Sequence, residues 1–386
     1  MTVWYFYLLI NLIGTYTSYL AVVAVPGQTK HFLFNLGVFF AARNLGSTLA
    51  YFAASRLINR FSERRCLISG NVVSGLAMLS VMLVLHNIAL VALLMLCVGF
   101  GDNLLSAALN SHTSKSIPRE KLLHFNHNLQ IITYLTMIIG ATIGGSIIQY
   151  NGLKPALFFD GATYLVCAGI AVFLGSGAAS SGDSPAGKSF SLWAADLRPQ
   201  IRMLLGLEVC CALIVGTFNL VEIPYYLHNL GLKYSQIGLY FSVTIFGLLA
   251  AKLLSAKHKL ENIKLRRFML VHLVYAAAFL GLSFSSSLVV SGLMLAVFIG
   301  TLSLSSSIST YFFQTWSTQA ERPRLLSMKV SLNKSVVILI TILSGYFSDR
   351  YDILTVMRVA FIGFVLIMAG IFYRTFSGEE AYEQPA

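Results

Sequence analysis

Apolar runs of about twenty residues recur along this chain from end to end, and runs of that length have few structural options. At 1.5 Å of rise per residue, eighteen or more helical residues cross a hydrocarbon core about 30 Å thick. The runs fall near residues 4–25, 32–54, 67–86, 88–110, 127–149 and 155–175, then near 203–226, 235–255, 268–286, 288–313, 327–347 and 355–373. They are continuous, not alternating, which argues against a closed barrel of short strands. Charged residues make up 11% of the chain, where a soluble domain carries about 25%. The pattern predicts an all-α integral membrane protein with about twelve transmembrane helices in two six-helix halves.

One stretch divides the runs six from six. Gly175 to Gln200, GSGAASSGDSPAGKSFSLWAADLRPQ, is small, polar and flexible in composition. The expected organisation is an N-terminal half over 1–175, a cytoplasmic linker over 176–200, a C-terminal half over 201–374 and a tail over 375–386. Lysine and arginine then choose the orientation. With the N-terminus inside, twenty of them fall in cytoplasmic segments, among them Arg56, Arg60, Arg64 and Arg65, the group Lys252 to Arg267, and Arg322, Arg324 and Lys329. Only Lys30, Lys154, Lys233 and Arg350 fall opposite. Both termini are therefore expected in the cytoplasm, with the chain in a bacterial inner membrane.

The net charge of +12 raises the question of nucleic acid. The basic residues lie in short segments between spans, not along one face of a domain, so no nucleic-acid partner is expected. The five cysteines match no metal or haem spacing and read as small packing residues. The first apolar run is too long, and too polar in its second half, for a cleaved leader, and is read as a retained span. No phosphate-binding Gly-x4-Gly-Lys-Ser/Thr sequence occurs. No nucleophile–base set or metal cluster emerges, so neither an enzyme nor a cofactor is expected.

The halves echo each other at about 200 residues. The basic group Arg56–Arg65 is answered by KHKLENIKLRR, Lys257 to Arg267, and SIPREKLLHFNHN by QAERPRLLSMKVSLNK. Gly140 and Gly345 stand at the same offset as Asn128 and Asn333. Duplicated six-helix halves are the architecture of a secondary transporter, with its site near the midplane. The stretch SRLINRFSERR, Ser55 to Arg65, resembles the signature between spans 2 and 3 of the major facilitator superfamily, Gly-x-Leu-x-Asp-Arg-x-Gly-Arg-Lys/Arg. Leu57, Arg60 and Arg64 match; Ser55 and Ser62 replace glycines, and Asn59 replaces the aspartate that latches the family's cytoplasmic gate. GATIGG, Gly140 to Gly145, resembles the exporters' span 5 motif, with Ala141 in place of proline. ALFFDGATYL, Ala156 to Leu165, resembles span 6 of the bacterial branch of enterobactin-type siderophore exporters and macrolide or drug efflux proteins. The resemblance implies gate and packing roles for Asn59, Arg60, Arg64, Gly140, Gly144 and Gly145.

In that family, spans 1, 4, 7 and 10 line the cavity, and polar residues here concentrate in those four. Candidates for the cavity wall are Asn11 and Tyr16, Asn103 and Ser106, Asn219, and Ser306 and Thr310. Each ionisable group in the bilayer costs a few kcal/mol or more unless paired or hydrated. Arg43 lies roughly 17 Å into span 2 and Asp102 roughly 21 Å into span 4 from the same side, so the two are expected to pair. Such a pair either fixes packing or couples a proton to substrate movement. Glu222, near Pro224, is the second coupling candidate, though an interfacial, hydrated glutamate fits the sequence as well. Glu208 is expected to be hydrated, Asp160 structural, and His124 and His127 solvated at the membrane face. The leading reading is a monomeric, proton-coupled exporter of a small organic molecule, siderophore or drug-like. An importer of a nutrient or iron–siderophore, or a receptor or scaffold on the same fold, stands beside it.

Overall fold

The computed structural model describes residues 2–28, 31–116, 119–173, 198–257, 265–316 and 322–376. Residues 176–197 of the linker, 377–386 of the tail and the side chains of Asn59, His124 and His127 lie outside the described residues. Twelve helices follow in chain order: α1 Thr2–Ala24, α2 Phe32–Phe61, α3 Glu63–Val81, α4 Ile88–Ser116, α5 Arg119–Asn151, α6 Leu153–Phe173, α7 Pro199–Pro224, α8 Tyr234–Lys257, α9 Leu265–Leu282, α10 Leu288–Thr315, α11 Arg322–Ser348 and α12 Ile353–Phe376. The described residues contain no strand. Among them, nine helices are long and apolar enough to cross a membrane, and α9 adds a shorter apolar stretch, Arg267–Leu282.

The arginine-rich stretch is a correction to the expected loop. Helix α2 runs on through Arg56 and Arg60 to Phe61, and α3 starts at Glu63, so Ser62 alone separates them. Leu, Arg and Ala favour helix, and no Gly or Pro between Ala50 and Phe61 breaks it, so the helix outlasts its apolar run. The Ser62 amide bonds the Ile58 carbonyl at 3.0 Å, and the Ser62 carbonyl accepts from the Cys66 amide at 3.1 Å. The reversal costs Ser62 a φ of 73° with ψ of 155°, a region that only glycine occupies freely, at about 1–3 kcal/mol for any other residue. Ser62→Gly is therefore expected to raise the apparent melting temperature of the purified chain and Ser62→Val to lower it. A thermal-shift measurement checks this, and a lower melting temperature for the glycine variant would refute the strain.

The chain packs as two compact units. One comprises Met1–Ala179, Asn219–Ile245 and Thr341–Ile353, and the other Ser180–Phe218, Phe246–Ile340 and Leu354–Ala386. Inside the first, α2 crosses α4 where Gly46 lies on the Leu96 carbonyl and Gly99 on the Arg43 carbonyl. A methyl group at either position would collide with backbone, so these helices touch main chain to main chain, as small residues permit in membranes. Inside the second unit, Gly247 of α8 lies on Ala296 of α10, and Gly300 on Gly247. The two crossings stand 201 residues apart at both glycines, which extends the repeat from the basic segments into the helix packing.

A second repeated contact lies within the first unit. Gly345 of α11 abuts the Leu33 carbonyl, and Gly145 of α5 abuts that of Tyr234. Four residues on, the Asp349 carboxylate accepts the backbone N–H groups of Leu33 and Phe34 at 2.9 Å each. The Gln149 side-chain oxygen accepts the backbone N–H of Ser235 at 3.2 Å and its hydroxyl at 2.7 Å. The first helical amides have no partner within their own helix, and His31 makes no side-chain cap at the start of α2. Here α11 and α5 supply the caps for α2 and α8.

Candidate functional site

The α2–α4 crossing sets the position of the charges. Arg43 lies one turn before Gly46 and Asp102 one turn after Gly99, so the closest approach of the backbones brings the two side chains together. Arg43 Nη2 meets Asp102 Oδ2 at 2.7 Å, with Nε of the same guanidinium at 3.3 Å. The other carboxylate oxygen, Oδ1, accepts the Tyr164 hydroxyl of α6 at 2.6 Å. The expected pair is present, and Tyr164 is a partner that the span-by-span reading did not find. The positions 201 residues on are Thr244 and Ser303, so the charge pair has no counterpart in the second repeat.

Beside it lies Asp160, fully buried, with neither carboxyl oxygen hydrogen-bonded among the described residues. Ser18 of α1 lies near it, and its hydroxyl donates to the Thr15 carbonyl at 2.9 Å. A charged carboxylate held dry and unbonded costs several kcal/mol. Asp160 is within electrostatic reach of both Arg43 and Asp102. The structure thus places two carboxyls and one guanidinium in one group. The spacing Asp160-x3-Tyr164 puts both on one face of α6, a signal available in the sequence.

Arg43 also forms part of the wall of a cavity of about 380 Å³ within the first unit, lined by Tyr16, Tyr19, Phe40, Asn44, Met137, Asn219, Glu222, Phe241 and Thr341 as well. Glu222 corrects the expectation of a hydrated glutamate at the membrane face: it is 8% exposed. One carboxylate oxygen accepts the Tyr19 hydroxyl and the other the Tyr226 hydroxyl, each at 3.1 Å. Tyr226 stands four residues after Glu222 and so lies over it along the helix; α7 ends at Pro224 and the chain continues as a π turn over Tyr225–Asn229. Tyr19 stacks on Phe40, with ring centroids 5.7 Å apart.

Of the predicted wall residues, Tyr16 and Asn219 line this cavity with Arg43 and Glu222. Asn103, Ser106, Ser306 and Thr310 do not. Asn11 instead meets the buried Asn71 at 3.4 Å, and Asn71 donates to the Tyr7 hydroxyl at 2.8 Å. Among the predicted gate residues, Arg60 is exposed and lies 5.2 Å from the Phe61 ring, while Arg64 donates to the Val172 carbonyl. Gly140 packs on Ile13 and Gly144 on Thr17, which brings α5 close against α1.

The second unit holds another buried charge pair, and it corrects the hydrated Glu208. Lys329 belongs to α11 and not to a loop, and its ammonium reaches Glu208 at 3.0 Å, Ser309 at 3.1 Å and Thr310 at 3.2 Å. Ser309 also donates to Glu208. Within electrostatic reach of Glu208, buried His272 contacts the Phe268 carbonyl at 3.0 Å and the Ser305 hydroxyl at 3.1 Å. Among the described residues no cluster of His, Cys, Asp and Glu is suited to a metal ion.

The sequence profile of the Major Facilitator Superfamily matches residues 6–318. No curated protein matches the chain in sequence. In structure it is similar to a bacterial homologue of the human lysosomal transporter Spinster, in an inward-facing and occupied conformation, at 13% identity and a TM-score of 0.71, covering 100% of this chain and 98% of that one. It is also similar to a bacterial homologue of the iron transporter ferroportin, at 14% identity and 0.71 over 96% and 98% of the two chains. The nucleoside transporter NupG aligns at 12% identity and 0.69 over 95% and 100%. At such identities the likeness speaks for the fold.

Proposed function

Because the chain belongs to the Major Facilitator Superfamily, and is therefore a secondary transporter, we propose that it is a proton-coupled exporter of a small organic molecule. It works by alternating access across the bacterial inner membrane, with both termini in the cytoplasm. The observation that carries this reading is the group Arg43, Asp102 and Asp160, of which Arg43 lines the cavity. Asp102 pairs with the one cation and Asp160 lies within its electrostatic reach, so with both carboxyls ionised the group holds a net negative charge that one proton removes. Like charges at close range do not both ionise readily, and a cation favours the ionised form of whichever it faces. A movement of Arg43 between them would change which carboxyl holds the proton. Tyr164 keeps the Asp102 carboxylate oriented as the guanidinium moves.

Asp102 is the coupling carboxylate in this reading and Arg43 its switch, while Tyr16, Asn219 and Glu222 face the transported molecule. The resemblance of GATIGG to the exporters' span 5 motif is what favours export, and Gly140 and Gly144 pack α5 closely on α1. Proton flux in inside-out vesicles, screened against a panel of acidic, neutral and basic amphipathic compounds, tests the proposal. The expected result is compound-dependent release of protons from the acidified lumen. Absence of such release for every compound would overturn proton-coupled export.

A further inference from the structure

Glu222 is a carboxylate buried in a cavity wall with no counter-charge. Among the described residues no Lys, Arg or His lies within ion-pair distance of it, while the guanidinium of Arg43 in the same wall is engaged by Asp102. Tyr19 and Tyr226 bring hydrogen bonds but no charge. Counting Arg43 with Asp102 as neutral, ionised Glu222 gives the lining one uncompensated negative charge. A buried charge without a partner is costly, so this wall is complementary to a single positive charge. Around it stand aromatic rings on three helices, Tyr16 and Tyr19 of α1, Phe40 of α2 and Phe241 of α8, and a cation placed over such faces gains further. The volume of about 380 Å³ is at the small end of ligand cavities, which run from about 300 to 1,000 Å³.

We infer that this cavity takes a small organic monocation with a flat aromatic face, its charge seated on Glu222 and its rings among Tyr16, Tyr19, Phe40 and Phe241. The inference rests on the reading of the cavity as the substrate site. It separates basic drug-like molecules from siderophores that bind iron through carboxylates or catecholates, because those would set negative charge against Glu222.

A matched series of probes tests it on the full chain in lipid nanodiscs: N-methyl-phenylpyridinium, methylbiphenyl and biphenyl carboxylate, which share shape and differ in charge. The cation is expected to bind at least about tenfold more tightly than the other two. Glu222→Gln should weaken its binding by about tenfold or more, the scale of a desolvated charge contact, and leave methylbiphenyl unchanged. Glu222→Asp should keep the charge preference, and with the wild-type ranking it decides the matter if Glu222→Gln folds poorly. Equal binding of the three probes, preference for the carboxylate, or an unchanged cation affinity in Glu222→Gln would each overturn the cation site. Those outcomes leave proton-coupled transport standing, whereas silence of the whole compound panel in the vesicle experiment removes transport and not the charge preference.

Discussion

Asp102→Asn, in which Asp160 remains to balance Arg43, is expected to bind substrate within a few-fold of the wild-type protein yet to release no protons and accumulate nothing against a gradient. Asparagine preserves the shape and still accepts the Tyr164 hydroxyl, so the local packing survives while the exchangeable proton is gone. Downhill exchange of labelled for unlabelled substrate should persist, because it needs no change of protonation. Arg43→Ala makes the opposite error. It leaves the partly buried Asp102 with Tyr164 as its one hydrogen-bond partner among the described residues, and removing one member of a fully buried pair costs about 3–5 kcal/mol, an upper bound for this one. The double variant Arg43→Ala with Asp102→Asn should therefore fold better than Arg43→Ala alone, measured as monodisperse yield and melting temperature. Uphill transport of wild-type rate and pH dependence in Asp102→Asn would sink the coupling role, and Glu222 would then be the carboxylate to test.

The limits of the sequence reading follow from what apolarity measures. Run length located the membrane helices because a bilayer imposes it, and counting depth along spans 2 and 4 was enough to pair Arg43 with Asp102. It could not locate the end of α2, because a helix continues into water wherever its residues favour it, and Arg56 to Phe61 do. The same blindness counted Lys329 with Arg322 and Arg324 in a cytoplasmic segment, although α11 begins at Arg322 and carries Lys329 to Glu208. Depth also says nothing about which way a side chain faces around its helix. Asn11 was a sound candidate by depth and turned out to face Asn71, while Asp160 turned out to face the Arg43 group. The information for the crossing itself was present, in Arg43-x2-Gly46 and Gly99-x2-Asp102 and in their glycine echoes at Gly247 and Gly300. It goes unread as long as the repeat is sought in charged segments and not in the small residues that let helices touch.

Those glycines carry the other large expected effect. A side chain at Gly99 would project into the Arg43 carbonyl, a rigid backbone atom, so the helices must separate to admit it. Separation of α2 from α4 lengthens the Arg43–Asp102 contact and strips packing from both helices, and overpacking alone typically costs about 1–3 kcal/mol. Gly99→Leu is expected to abolish folded yield, and Gly99→Ala to leave a protein that binds but does not couple. Gly169 is the internal control: it lies in α6, exposed, with nothing within 4 Å of its Cβ position. Gly169→Leu should therefore express, fold and transport as the wild-type chain does. Gly144→Leu falls between them, since its Cβ would meet Thr17 Cα at 2.7 Å and displace α5 from α1 without touching the charge pair. It should lower yield and transport together while the surviving protein keeps its proton-to-substrate ratio. Equal losses at Gly99 and Gly169 would show that any glycine in these helices is intolerant of leucine, and the link between the α2–α4 crossing and the charge pair would fail.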